Sequence, residues 1–198
     1  SRIVLMEYLA GEQPSTQRAT WEELGAIARK LNSFSGYPYP YAIDTSAAIG
    51  ELEAQAEMHP QREQFHGFIA MLAPIVHTTH HGLIHGEINL ANTARRGDGT
   101  LVLLDWDEAG HGPTLIEAGY PLIVVFLTED LQFQREPANG FYRQYYAGRG
   151  LTAQEKDDVF RAALFHALRY MPFANQQKRW ERVCFAVAHQ AELMSALP

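Results

Sequence analysis

The sequence predicts a mainly α-helical fold that carries one small β-hairpin near its middle. First, apolar residues recur at helical spacing through most of the 198 residues. Second, a Thr-x-x-Glu signal, typical of a helix start, occurs at Thr20 and again at Thr152. Third, a short turn separates two extended runs between residues 93 and 105, which indicates a hairpin.

The N-terminal segment is predicted to be a strand followed by a helix. Residues Arg2–Leu9 are mostly apolar and end before Gly11, which favours a strand that runs into a turn. Thr20 and Glu23 are predicted to form the capping box of an amphipathic helix whose apolar face begins at Leu24. The prolines within Ser35–Asp44 then indicate a loop.

Helical patterns account for most of the remaining chain. They cover residues 45–57 and continue from Phe65 to Val76, where Pro74 is predicted to cause a kink or an irregularity in the last turn. After the hairpin they cover residues 114–127, 140–150, 152–171 and 176–197. Thr152 and Glu155 form the second predicted capping box.

The hairpin lies in the segment ANTARRGDGTLVLLDWDEAG. Arg96–Gly99 are predicted to form its turn, and Leu101–Leu104 form a buried strand that ends at Asp105. The hairpin therefore delivers an acidic side chain to the end of a strand, shortly after the polar segment LIHGEINLAN at residues 83–92.

Composition narrows the class of protein. A chain of 198 residues with 46% hydrophobic and 20% charged residues has the balance of an ordinary globular protein. Its single cysteine, Cys184, cannot form an internal disulfide, which fits the cytoplasm, and we interpret it as a buried apolar side chain. The longest apolar run, Tyr120–Leu127, is too short to span a membrane.

The charge balance bears on partners. A net charge of -7, with Lys and Arg scattered among acids, argues against nucleic acid binding. The same balance favours a cationic small molecule as substrate.

The segment HGEINLAN and the later LLDWD supply the groups that phosphoryl transfer needs. A carboxylate must orient the attacking hydroxyl, while an acid and a carboxamide hold Mg²⁺ against the phosphate oxygens. Glu87, Asn92 five residues later, and Asp105 at a strand end present these groups in the order found in kinases.

With these motifs and the opening VLMEYLAG, the sequence resembles the aminoglycoside phosphotransferase and choline kinase family. The resemblance implies that Glu87 is the catalytic residue, that Asn92 and Asp105 bind metal and cofactor, and that Glu7 and Leu9 lie in the hinge segment against adenine. It implies ATP and Mg²⁺ as cofactors and a small hydroxylated substrate. The fold it implies is the C-terminal lobe of a protein-kinase-like fold.

Two departures from the family pattern affect the expected activity. The sequence resembles the family from the last strand of the N-terminal lobe onward, so we assign residues 1–11 to a hinge strand and linker and 12–198 to the helical C-terminal lobe. The glycine-rich loop and strand Lys that clamp phosphates are not part of it, and Glu87 stands where the family has Asp.

The sequence is compatible with two functions. The chain is either the catalytic-loop lobe of an ATP-dependent small-molecule phosphotransferase, expected to be inactive as this fragment, or a catalytically silent kinase-like binding or scaffold domain. In both cases we expect a second copy, a partner or a rearranged segment to cover strand Arg2–Leu9.

Other polar residues allow a structural interpretation. We expect His85 to brace its loop through backbone hydrogen bonds. We expect the histidines within His77–His81 to be exposed rather than metal ligands, Glu117 to be an acid placed favourably in a first helical turn, and Tyr170 and Trp180 to belong to the core rather than to a substrate cage. Asp107 and Glu108 are equally consistent with a second metal ligand and with turn residues.

Overall fold

The computed structural model describes residues 11–36, 38–41, 43–77, 80–171 and 176–198, apart from the side chains of residues 76 and 77. The mainly helical prediction with a small hairpin is confirmed. The helices are α1 (Arg18–Asn32), α2 (Thr45–Glu57), α3 (Arg62–Ala70), α4 (Thr114–Tyr120), α5 (Arg135–Tyr145), α6 (Ala153–Arg169), α7 (Gln176–Ala188) and α8 (Gln190–Met194). A 3₁₀ turn at Ala73–His77 follows α3, and a π-helical turn at Pro121–Val125 continues α4.

Within the described residues, four short strands form two nested antiparallel pairs. Strand β2 (Thr93–Arg95) pairs with β3 (Leu101–Leu103) as the predicted hairpin. Outside it, β1 (His81–Ile84) pairs with β4 (Gly110–Pro113) in a sheet that the sequence patterns did not predict. Gly82 allows this second pair to lie against α1, since a Cβ at Gly82 would come within 1.9 Å of the Asn32 carbonyl oxygen.

The core lies between the helices. Helix α1 packs against α5, and α4 packs against α6. Trp180 of α7 is buried against Phe65 and Phe68 of α3, with ring centroids 5.5 and 5.4 Å apart, which confirms its predicted place in the core. Among the helices of the described residues, none combines the length and the apolar character that crossing a membrane requires.

The predicted capping box at Thr20 is wrong. Helix α1 begins at Arg18, two residues before Thr20, and its N-cap is Gln17. Thr20 is buried instead, and Glu23 forms an ion pair with Arg95 at 2.8 Å. Arg18 contacts both Glu22 and Glu136, so tertiary contacts hold the extra residues of the first turn.

Two predicted helices are shorter than expected. The helix through Phe65 ends at Ala70, because a proline cannot continue the helical hydrogen bonding. Pro74 lies in the 3₁₀ turn that follows, which agrees with the predicted irregular last turn and not with a kink. The C-terminal helix is interrupted at His189, which separates α7 from α8. Strand Arg2–Leu9 lies outside the described residues.

The second predicted capping box is confirmed. The Thr152 side chain accepts a hydrogen bond from the backbone N–H of Glu155, while the Glu155 carboxylate accepts one from the backbone N–H of Thr152 at 2.8 Å. Arg149 adds an ion pair to Glu155 at 2.8 Å. Helix α6 thus has a well-defined start, and its C-terminal end leads to Arg169 and Tyr170.

We expect Thr152→Ala to lower the free energy of unfolding by about 1 kcal/mol, since it removes a cap that satisfies an otherwise unpaired N–H. Chemical denaturation with the helical circular dichroism signal measures the change. Thr45→Ala is the control, because α2 is capped by the preceding Asp44, whose carboxylate accepts from Ala47 N at 3.0 Å. Equal losses in both variants would contradict the capping role of Thr152.

Candidate functional site

The loop between β1 and β2 is held by its own polar side chains. The Glu87 carbonyl oxygen accepts hydrogen bonds from the side-chain amides of Asn89 and Asn92, each at 3.1 Å. The Asn89 side-chain oxygen in turn accepts from the Asn92 backbone N–H at 2.9 Å. The Asn92 side-chain nitrogen therefore points toward the loop, and the Asn92 side-chain oxygen is the atom available to a ligand.

His85 connects this loop to the strand that precedes Asp105. Its ring is buried, and Nε2 lies 2.8 Å from the Leu104 carbonyl oxygen, so Nε2 carries the proton. Nδ1 then accepts from the Glu87 backbone N–H at 3.3 Å. Burial lowers the pKa of His85, which keeps the ring neutral. The predicted bracing role of His85 is confirmed.

Glu117 of α4 holds the start of the loop through its side-chain carboxylate. Its carboxylate is completely buried and accepts hydrogen bonds from the backbone N–H groups of His85 and of Gly86, the latter at 3.2 Å. Gly86 has φ +93°, a conformation that suits glycine and turns both N–H groups toward one acceptor. Burial raises the pKa of Glu117 to about 7. The interpretation of Glu117 as a helix-dipole acid missed this contact.

Tyr170, at the end of α6, contacts the predicted base. Its hydroxyl donates a hydrogen bond to Glu87 Oε1. Its ring has the Arg169 and Arg179 guanidinium groups at 5.5 and 5.8 Å from its centroid. Burial, followed by Tyr120 and the bond to Glu87, raises the pKa of Tyr170, so its hydroxyl stays protonated. The prediction that Tyr170 belongs to the core is wrong.

A pocket of about 290 Å³ opens at this point. It is lined by Glu87, Asn89, Asn92, Tyr120, Val124, Glu129, Ala167, Tyr170, Lys178, Arg179 and Arg182. The structure therefore brings two of the predicted site residues, Glu87 and Asn92, onto one concave surface. The Asn89 side-chain amide also donates a hydrogen bond to the Tyr120 hydroxyl at 2.9 Å, which connects the loop to the C-terminal end of α4.

Asp105 follows β3 and is exposed, with a left-handed φ of 58°. Its predecessor Leu104 donates its backbone N–H to the Asn92 carbonyl oxygen at 2.8 Å, so the two predicted metal ligands belong to connected backbone segments. An Asn oxygen and an Asp carboxylate are hard oxygen donors of the kind that Mg²⁺ takes, with phosphate and water completing its coordination. The donor set fits Mg²⁺.

Other acids and histidines near the site do not extend this donor set. Glu108 forms an ion pair with Arg169 at 2.5 Å, while Asp107 is exposed. His80 and His81 are exposed, and the rest of the histidine segment lies outside the described side chains. Within the described ranges, no three His, Cys, Asp or Glu side chains are grouped closely enough to hold a metal. Glu7 and Leu9 lie outside those ranges.

The N-terminal end of the described chain pairs with the β2–β3 hairpin, next to the candidate site. Glu12 and Arg95 exchange backbone hydrogen bonds of 3.0 and 2.9 Å, which pairs residue 12 with strand β2. The segment just after the predicted hinge therefore runs beside the strand that follows Asn92.

Comparisons with known proteins agree on a kinase-like fold. The model of a family described as the phosphotransferase enzyme family matches residues 1–159. An ethanolamine kinase from Plasmodium vivax matches with 9% identity and a TM-score of 0.64, over 96% of this chain and 65% of that one. A choline kinase from Cryptosporidium parvum matches with 10% identity and a TM-score of 0.62, over 96% and 71%.

An aminoglycoside phosphotransferase from Alicyclobacillus acidocaldarius matches with 14% identity and a TM-score of 0.52, over 96% of this chain and 68% of that one. At these identities the likeness is one of fold, and the chain spans 65 to 71% of the three structures. No curated protein sequence matches the chain.

The buried carboxyl group of Glu117 predicts a pH effect on stability. Because its pKa is about 7 in the folded protein against 4.5 ordinarily, the folded state holds one more proton between these values. Stability must therefore fall as pH rises from about 4.5 to about 7, by on the order of 3 kcal/mol, and the loss is complete above that range.

We expect Glu117→Gln, whose side chain stays neutral, to flatten this part of the curve. Urea denaturation at intervals from pH 4.5 to 8 measures the difference between the two proteins. Glu53→Gln, at an exposed position on α2, is the control and should follow the unmodified chain. A Glu117→Gln curve parallel to that of the unmodified protein would exclude Glu117 as the titrating group.

Proposed function

Because the chain belongs to the phosphotransferase enzyme family, as its sequence motifs indicated, we propose that it is the catalytic-loop and substrate-binding lobe of an ATP-dependent small-molecule kinase. The observation that carries this proposal is that Glu87 and Asn92 line one pocket, on a loop fixed by buried hydrogen bonds. Such a loop holds a base and a metal ligand in constant relative positions, which phosphoryl transfer requires.

In this proposal Glu87 orients the substrate hydroxyl. Tyr170 donates to Oε1 of Glu87, so we assign Oε2 to the hydroxyl proton of the substrate. The Tyr170 bond restricts the rotation of a side chain one methylene longer than the Asp found in the family. Tyr170 is thus a positioning residue, and its own hydroxyl keeps its proton.

Asn92 and Asp105 would hold Mg²⁺ through their side-chain oxygens, and the resemblance implies that backbone groups at Glu7 and Leu9 meet adenine. When bound, Mg²⁺ neutralises charge on the phosphates of ATP. His85 contributes by fixing the distance between the two ligand segments, since it bonds both the Glu87 N–H and the Leu104 carbonyl.

The substrate of this proposal is small and hydroxylated. The pocket volume of about 290 Å³ lies at the lower limit of the range of about 300–1,000 Å³ typical of ligand sites. The similar structures include kinases named for ethanolamine and choline, which are small hydroxylated amines. The lone Cys184 and the ordinary composition fit an enzyme of the cytoplasm.

A second candidate function is a catalytically silent kinase-like binding domain. The Tyr170 hydroxyl already occupies one oxygen of Glu87, and a Glu at this position moves the carboxylate relative to Asp. Both features are compatible with a pocket retained for binding alone. Mg²⁺-dependent transfer of phosphate from ATP to a hydroxylated compound separates the two candidates.

We expect Glu87→Gln and Asp105→Asn each to lower kcat by 10²-fold or more, an order of magnitude expected for removing a base or a metal ligand. The assay follows Mg²⁺-dependent ADP release with a panel of amino alcohols, using the natural polypeptide that carries these residues. Glu53→Gln is the matched control. Full activity in Glu87→Gln would reject its role as base, and no activity in any form, with the substrate still bound, would favour the silent domain.

The 198 residues alone are expected to bind ATP weakly and to show no measurable phosphotransfer. Their sequence contains no glycine-rich loop to hold the α- and β-phosphates, which leaves the metal ligands and the hinge as contacts. Glu87→Asp alone should not restore activity for the same reason. Titration of ATP by calorimetry, with and without Mg²⁺, measures the affinity. Turnover by this chain that Asp105→Ala abolishes would overturn the expectation.

A further inference from the structure

One wall of the pocket is basic. Lys178, Arg179 and Arg182 all lie on α7 and all line the cavity that contains Glu87. Residues 178 and 182 are four apart and residues 179 and 182 are three apart, so the three side chains share a face of the helix. The net charge of -7 therefore does not describe the surface that meets a ligand.

The three cations differ in their partners. Lys178 is exposed and forms a 3.8 Å ion pair with Glu129. Arg179 donates to the Tyr170 carbonyl oxygen at 2.7 Å and stacks over the Tyr170 ring. Arg182 is half-buried, and among the described residues it makes no hydrogen bond and no ion pair.

The Arg182 side chain lines the pocket, and no described residue accepts a hydrogen bond from its guanidinium group. Burial lowers the pKa of Arg182 and nearby Arg179 lowers it further, although Glu129 acts through space in the opposite direction. A guanidinium remains charged at neutral pH and presents a planar set of donors that matches an oxyanion. An anion in the pocket would supply the hydrogen bonds that the protein does not.

We propose that the substrate of this pocket carries an oxyanion, a carboxylate or a phosphate, in addition to its hydroxyl, and that Arg182 binds that anion. The assignment of the hydroxyl to Glu87 rests on the proposed function, whereas the anion site rests on the basic wall alone. This replaces the cationic substrate expected from the overall charge. Arg182 then determines specificity, because amino alcohols without an anion leave its guanidinium unpaired.

Two matched pairs of compounds test the proposal by calorimetry on this chain without nucleotide. Serine differs from ethanolamine by a carboxylate, and glycerol 3-phosphate differs from glycerol by a phosphate. We expect the anionic member of at least one pair to bind roughly tenfold or more tightly than its neutral or cationic counterpart, the size expected for one desolvated charged contact. The pair that shows the preference identifies the anion.

Variants then assign the preference to Arg182. Arg182→Gln should abolish it by weakening the anionic member alone, and Arg182→Lys should retain part of it because it keeps the charge without the planar donors. Arg62→Gln is the control, since Arg62 is exposed on α3 and pairs with Glu57 at 3.3 Å. Thermal unfolding checks that each variant is folded, and Arg182→Lys provides the test if Arg182→Gln is not.

Three results would overturn the proposal: equal or tighter binding of ethanolamine and glycerol, no binding of any of the four compounds, or equal weakening of both members of a pair by Arg182→Gln. The outcome is separable from that of the proposed function. Binding of the anionic compounds without phosphotransfer by the natural polypeptide would reject the kinase activity and retain the anion site. Phosphotransfer to ethanolamine without any preference for serine would retain the kinase activity and reject the anion site.

Discussion

The site depends on one buried interaction, the acceptance of the His85 and Gly86 backbone N–H groups by the Glu117 carboxylate. These two N–H groups lie at the point where β1 ends and the loop begins, so they have no strand partner there. A buried N–H without an acceptor would be costly, and Glu117 satisfies both with one oxygen. The arrangement requires a left-handed backbone at Gly86 and the placement of the Glu117 carboxylate, on α4, next to the start of the loop.

Helix α4 can present that carboxylate because its neighbours hold its backbone. The Tyr142 hydroxyl donates to the Ala118 carbonyl oxygen at 2.9 Å, and the ring of His166, neutral because burial lowers its pKa to about 3, contacts the Ile116 carbonyl oxygen at 3.1 Å. Both carbonyls flank Glu117. The same helix α6 that supplies His166 ends at Arg169, and the next residue, Tyr170, contacts Glu87, so one helix supports both Glu117 and Glu87.

Local sequence patterns predicted the parts of this structure that depend on neighbours in the chain. The hairpin turn at residues 96–99 and the capping box at Thr152 follow from interactions within a few residues, and both were predictable. The same signal failed at Thr20, where Arg18 reaches Glu136 on another helix and lengthens α1. Glu117 and its partner Gly86 are 31 residues apart in the sequence, and Tyr170 and its partner Glu87 are 83 residues apart. No periodicity or motif encodes such pairs.

The chain is acidic overall, yet one wall of the pocket is basic, and this difference also depends on which residues the fold brings together. Net charge sums over a surface on which Glu51 and Glu53 of α2 count as much as any residue, although they are exposed and line no pocket with Glu87. Recognition depends on the few side chains that lose water when a ligand enters, and a charge there is worth far more than one in solvent. Arg182 is half-buried and makes no hydrogen bond or ion pair within the described residues, and Glu129 of the same pocket acts on it only through space, so its guanidinium donors stay available to a ligand. The placement of α7 beside the Glu87 loop, rather than the proportion of acids in the sequence, therefore sets which charge a ligand should bring.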